Sequence, residues 1–196
     1  EIQWTLDSNL VGIASTLSAP FNKAAADTLP LHLELDPLAS RGARVTPGRE
    51  QIRGSLGHLA SLQLIVNKKD QQSVPERGVL TIGRPLTPLP ERGVAIGITA
   101  KVVDIDSWHG ILAGAGKDSG EFPLSVDMKA DEVILLGKHY GDVTLAVWGI
   151  APHWRGMVQS RDATGSFNWE GAGRGKLTAH FKKWHRPDRE SAGTPT

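Results

Sequence analysis

The sequence predicts an all-β chain, mostly antiparallel, folded as one curled, twisted sheet or open half-barrel groove with one or two short helices. Three observations carry that expectation. Apolar and polar residues alternate at period two in run after run. Turn residues recur at short intervals between the runs. Helical periodicity is nearly missing, so few helices exist to cover an apolar sheet face.

The alternating runs are Ile2 to Leu6, Leu31 to Leu35, Leu62 to Val66, Val79 to Ile82, Val94 to Val103, Leu124 to Met128, Val143 to Trp148, Arg155 to Gln159, Thr164 to Trp169 and Leu177 to Phe181. In the clearest, Leu31, Leu33 and Leu35 alternate with His32, Glu34 and Asp36, and Leu124, Val126 and Met128 with Ser125, Asp127 and Lys129. Turn signals stand at Thr46-Pro47-Gly48, Gly83-Arg84-Pro85, Lys117-Asp118-Ser119-Gly120, His139-Tyr140-Gly141-Asp142 and Gly171-Ala172-Gly173. Links this short favour antiparallel neighbours, because a parallel crossover needs a dozen or more residues. The main helix is expected from Asp104 to Leu112, with Asp104 or Asp106 as its cap and Trp108, Ile111 and Leu112 on one face. Asn22 to Asp27 is a weaker helical candidate. Pro75-Glu76-Arg77-Gly78-Val79 recurs as Pro90-Glu91-Arg92-Gly93-Val94, and each copy reads as a turn feeding a strand.

With 196 residues, 39% of them hydrophobic and 22% charged, the chain has the composition of a folded domain. Residues 1–184 read as a single elongated β domain, cut from a longer protein because the chain opens at Glu1 without a methionine. The tail 185–196, HRPDRESAGTPT, reads as a polar tail or linker. A formal charge of +1 sets up no global field for nucleic acid. The absence of cysteine removes disulfides, thiol nucleophiles and thiolate metal ligands together.

Catalytic chemistry finds no anchor. The seven histidines show no HExxH or comparable ligand spacing, so surface or structural roles explain them best. Asp104, Asp106, Asp131 and Glu132 could supply an acid and a base, but helix capping and a solvated turn account for them. A phosphate loop needs a glycine five residues before its Gly-Lys pair and a Ser or Thr after it. Gly175-Lys176 has Glu170 and Leu177 there, and Gly116-Lys117 has Ile111 and Asp118. No Gly-x-Ser-x-Gly elbow occurs. The expectation is a protein that is not an enzyme, with no catalytic residue, no metal and no cofactor.

Many one-faced strands with almost no helices leave two ways to close: a second sheet, or a curl that keeps a partly open apolar trough. A trough is a lipid-binding geometry, since acyl burial contributes about 0.8 kcal/mol per methylene without any specific hydrogen bond. Its lining is expected from Leu124, Val126, Met128, Val143, Leu145, Val147, Leu177, Ala179 and Phe181, facing inward together with wet alternates. The alternative is a non-catalytic β-sandwich whose six tryptophans serve a glycan or protein partner.

Several stretches carry a resemblance. Trp4-Thr-Leu-Asp-Ser-Asn-Leu-Val-Gly12, followed by Pro20-Phe-Asn-Lys23 and Leu29-Pro-Leu31, resembles the "S-D-L-x-G…L-P-x-P-x-x-K…P-L" region of YhdP-type proteins of the AsmA-like group. Asp104-Ile-Asp-Ser-Trp108 is similar to that family's "L-D-x-x-x-W" turn, and the stretch from Phe122 to Gly137, Trp154 to Ser160 and Gly165-Ser-Phe-Asn-Trp169 to its later strands. Asn9 stands where the pattern usually has Asp, and Ser18-Ala19-Pro20 departs from Leu-Pro-x-Pro. The resemblance implies a C-terminal, periplasmic portion of an inner-membrane-anchored protein of a Gram-negative bacterium. It further implies a role in phospholipid transport between the inner and outer membrane and in the outer-membrane permeability barrier. Phospholipid acyl chains are then the partners, with other envelope proteins beside them, and the family pattern carries no active site.

Overall fold

The fold is given by a computed structural model, which describes residues 3–39, 45–69, 72–108, 122–171 and 175–184. Eleven strands form one sheet in strict chain order: β1 (Trp4–Ser8), β2 (Leu31–Ala39), β3 (Val45–Leu56), β4 (Ala60–Lys69), β5 (Gln72–Ile82), β6 (Gly93–Asp104), β7 (Leu124–Leu135), β8 (Lys138–Ile150), β9 (His153–Gln159), β10 (Ala163–Glu170) and β11 (Lys176–Trp184). Every substantial strand contact is between neighbours, so β1 and β11 are both open edges among the described residues. The two-sheet sandwich does not form. Nearly all pairs are antiparallel, as expected of short links. The exceptions are β5/β6 and β6/β7, which are parallel and are joined by the two longest inter-strand links of the sheet after β2, 83–92 and 105–123.

Several expectations need correction. β3 was not expected at all, and its Thr46-Pro47-Gly48 signal lies inside the strand. His139-Tyr140-Gly141-Asp142 also lies inside a strand, β8, while the chain reverses at Leu136-Gly137. The first Pro-Glu-Arg-Gly-Val copy sits within β5 and makes no turn; the second is a bend that leads into β6. The copies lie side by side in parallel register, offset by one residue, with Gly78 opposite Val94. Residues 22–27 form no helix. The expected Asp104–Leu112 helix is helical at 105–108, with its remainder outside the described residues, as are the turn signal at 117–120 and the tail 185–196.

Alternation gives the sheet one apolar face, but β5 breaks the pattern. Val79 and Thr81 point to the reverse face and are 1% and 0% exposed. The 83–92 link contributes to this cover. Arg84 folds its guanidinium against Gly97, where a Cβ would overlap it, and reaches Asp127 at 3.0 Å. A parallel pair requires such a link to return along the sheet, and glycine at position 97 leaves the space for it.

Candidate functional site: the apolar face

Register brings the nine expected lining residues onto one face, eight of them in three ladders that cross β7 to β11. Leu124 leads through Gly149, Trp154 and Trp169 to Leu177. Val126 leads through Val147, Gly156 and Phe167 to Ala179, and Met128 through Leu145, Val158 and Gly165 to Phe181. Val143 opposes Ala130 one step further on. Paired residues share a face, so these are continuous apolar rows. Of the alternates, Ser125, Asp127, Lys129, Thr144, Thr178, His180 and Lys182 are exposed, while Ala146 is half-buried and Trp148 is an exposed indole.

The same face continues through strands that the expected lining left out. Ile98, Ile96 and Val94 on β6 meet Met128, Val126 and Leu124; Ile82 and Leu80 on β5 meet Ile98 and Ile96. Leu62 and Leu64 on β4, Ile52 on β3, Leu33 and Leu35 on β2, and Leu6 and Trp4 on β1 complete it. Most of these positions were legible as period-two runs. Ile52 was hidden in a glycine-rich polar stretch and emerges only from its pairing with Leu64 and Leu35.

The face is not uniformly open. Met128 and Val143 are 3% and 4% exposed and form a closed cluster with Ala130 and Val133, against which Ile98, Val103, Ile105, Tyr140, Leu145 and Val158 pack. Val133 and Tyr140 join this cluster although they are three residues out from Ala130 and Val143. The ladder is interrupted at Lys101, Asp131 and Asp142, where Asp142 takes a φ of 54°, and the strands change phase there. Towards the edges the apolar face is more exposed: Leu177 is 62% and Leu6 46% exposed.

Glycines lower the relief of this face. A Cβ on Gly156 would overlap the Phe167 ring, which therefore lies down over the backbone; Leu33 does the same over Gly54. Charge is concentrated on the reverse face, where Arg53 pairs with Glu34 (2.9 Å) and Asp36 (2.5 Å), and His32 with Asp7 (2.6 Å) and Glu34 (3.1 Å). Bonds from Asp7 first, then Glu34, raise the His32 pKa, and His32 and Arg53 lower that of Glu34. On the apolar face the ion pair Lys68–Glu50, at 2.6 Å, stands towards the rim where β4 gives way to β5.

Three of the four candidate acids make structural contacts. Asp104 caps the helical turn through the N–H (3.0 Å) and hydroxyl (2.5 Å) of Ser107, which lowers its pKa. Asp106 accepts from the N–H groups of Leu136 and Gly137, Glu132 faces His139, and Asp131 is exposed. Among the described residues no group of three or more His, Cys, Asp or Glu could hold a metal ion, and no helix is long and apolar enough to cross a membrane. A shallow hollow opens on the reverse face among Thr144, Ala146, Met157, Gln159, Ser166 and His180.

A family model described as YhdP protein matches residues 1–196. No curated protein and no solved structure matches the chain.

Proposed function

Since the chain belongs to the YhdP family of AsmA-like envelope proteins, we propose that it is a non-enzymatic segment of a phospholipid conduit. In this reading it is the periplasmic portion of an inner-membrane-anchored protein of a Gram-negative bacterium. It carries phospholipid between inner and outer membrane and so supports the outer-membrane permeability barrier. Acyl chains lie along the apolar face while head groups stay in water.

One observation carries the proposal: the apolar face runs across all eleven strands and, among the described residues, has no second layer of sheet over it. A face of this kind would be costly to leave in water unless something apolar occupies it. Each acyl methylene laid there contributes about 0.8 kcal/mol, with no need for a catalytic or coordinating group. A formal charge of +1 suits passage, because strong positive charge would trap anionic head groups.

A second reading rests on the reverse face. Exposed Trp148 is in register with Arg155, and Arg155 with Asn168, an indole beside hydrogen-bonding partners of the sort a glycan uses.

Photo-crosslinking distinguishes the two. A crosslinker at Val126 or Leu177 is expected to label phospholipid, and one at Asp127 or Thr178, one residue away on the opposite face, is not. Equal labelling from both faces, or none from either, overturns the conduit reading. Glycan retention lost in Trp148→Ala supports the second.

A further inference from the structure

The segment 9–30, between β1 and β2, contains no helix or extended strand, yet its backbone is tied into one body. Ser15 and Lys23 exchange two backbone hydrogen bonds, at 2.8 and 3.0 Å, and Gly12 donates to the Ala25 carbonyl at 2.7 Å. The Lys23 ammonium turns inward and donates to the carbonyls of Leu10, Ile13 and Ala24, at 2.8, 2.8 and 3.0 Å. Backbone acceptors that would otherwise call for water are thereby satisfied within the segment. Its base is closed by the Leu29 N–H on the Asn9 carbonyl at 2.9 Å, and Pro30 accepts from Gly57 in the turn after β3 at 2.6 Å.

The far side of the segment is attached differently. Phe21 meets Trp108 edge to face, with ring centroids 5.6 Å apart at 72°. Trp108 belongs to the helical turn that follows β6, and Ile105 of that turn packs on the apolar-face cluster. The segment thus links the β1–β2 edge to the helical turn after β6, four strands from β2 in the sheet order. Among the described residues, no hydrogen bond joins residues 15–24 to anything outside the segment.

We propose that segment 9–30 is a strap that opens and closes one rim of the apolar face, hinged at Asn9 and Leu29 and latched by Phe21 on Trp108. The proposal rests on the reading of that face as an acyl-chain surface. A rigid body with a narrow base and one aromatic contact at its tip moves as a unit, between two discrete positions. Latched, it walls the rim, and lipid moves only along the sheet. Released, it lets an acyl chain enter or leave sideways past the exposed Val11, Ile13 and Leu17.

The cysteine-free chain makes the test direct. In Phe21→Cys/Trp108→Cys, exchange of a fluorescent phosphatidylcholine with phosphatidylcholine/phosphatidylglycerol vesicles is followed with and without a bismaleimide cross-link, whose spacer fills the room of the two rings. The cross-linked form is expected to exchange severalfold more slowly, with the amount bound at equilibrium unchanged. Phe21→Ala, which frees the latch without needing a cross-link, is expected to exchange severalfold faster than the parent chain, with its thermal midpoint recorded alongside. Phe21→Ala exchanging at the parent rate overturns the strap, as do equal rates with and without the cross-link. If the parent chain takes up no lipid, the acyl-chain reading fails and the strap falls with it. Uptake by the parent with unchanged latch variants removes the strap alone.

Discussion

The carboxylate of Asp106 accepts hydrogen bonds from the peptide N–H groups of Leu136 (2.7 Å) and of its neighbour Gly137 (2.8 Å), so the turn after β6 clamps the hairpin between β7 and β8. Leu136 depends on that clamp. Its φ of 54° lies in the left-handed region and its side chain is 83% exposed, so almost no burial offsets the backbone strain. Such a conformation costs a residue with a Cβ about 1–2 kcal/mol. Leu136→Gly is therefore expected to raise stability by about 1 kcal/mol, and Asp106→Ala to lower it by about 1–2 kcal/mol. Differential scanning calorimetry of the two variants checks this, and a Leu136→Gly midpoint below that of the parent refutes the strain argument.

Phe167 and Gly156 form a second pair whose fit is steric. Gly156→Val places branched carbon where the ring lies, and overpacking of this kind costs about 1–3 kcal/mol. Adding Phe167→Ala to Gly156→Val is expected to recover part of the loss, as a double-mutant cycle in urea would show. If the two changes simply add, the ring does not rest on the glycine.

The closed and bare parts of the apolar face should respond oppositely to substitution. Met128→Ala empties a packed site and is expected to cost about 2–5 kcal/mol. Leu177→Glu lies on the exposed edge strand, where a new charge reaches water, so its expected cost is within about 0.5 kcal/mol. That substitution should nevertheless reduce phospholipid labelling from a crosslinker at Ala179. A strongly unfolded Leu177→Glu would mean that the edge is covered.

The edge strand β1 should be held more firmly on the acid side of the His32 titration, above that of Glu34, than on its alkaline side. Protonated His32 is stabilised by Asp7 and then by Glu34, so its folded pKa lies above the ordinary 6.5. Its contribution is complete below the unfolded value and is lost as pH rises through the raised folded value. Glu34 acts in the other direction: its lowered pKa gives a contribution present above about 4.5 and lost as pH falls through the folded value. NMR titration should find the His32 midpoint above 6.5, and Asp7→Asn should bring it down further than Glu34→Gln does. Amide protection in β1, taken relative to the intrinsic base-catalysed exchange rate, should fall over the same rise in pH. A His32 midpoint unmoved by Asp7→Asn contradicts the pairing.

Alternation made most of the sheet legible because a period of two needs only local sequence to show itself. Leu124, Val126 and Met128 could be placed on one face from their own run, and pairing with Val147 and Leu145 keeps them there. β3 escaped because Gly48, Gly54 and Pro47 look like loop residues. Its Gly54 is instead the floor on which Leu33 lies, a relation between two strands that neither reveals alone. The Leu136-Gly137 reversal was missed for a similar reason: Leu at that position carries no turn signal, and the group that secures it is Asp106, some 30 residues earlier. The change of phase between Ala130 and Val133 likewise depends on three neighbouring strands at once. Pro20-Phe-Asn-Lys23 showed itself only as part of a resemblance, and the contact of Phe21 with Trp108 did not show at all.

The parallel strands β5, β6 and β7 also shape how the chain can fold. β2 to β5 and β7 to β11 are two antiparallel meanders whose neighbouring strands are joined by short turns, so each can form from contacts close in sequence. β6 joins them only through the longer links 83–92 and 105–123, and its pairings on both sides close larger loops at greater entropic cost. Folding is therefore expected to start from two centres and to close the joint late. A destabilising change at Gly97, inside that joint, should speed unfolding far more than it slows folding, whereas one at Gly156, within a meander, should slow folding itself.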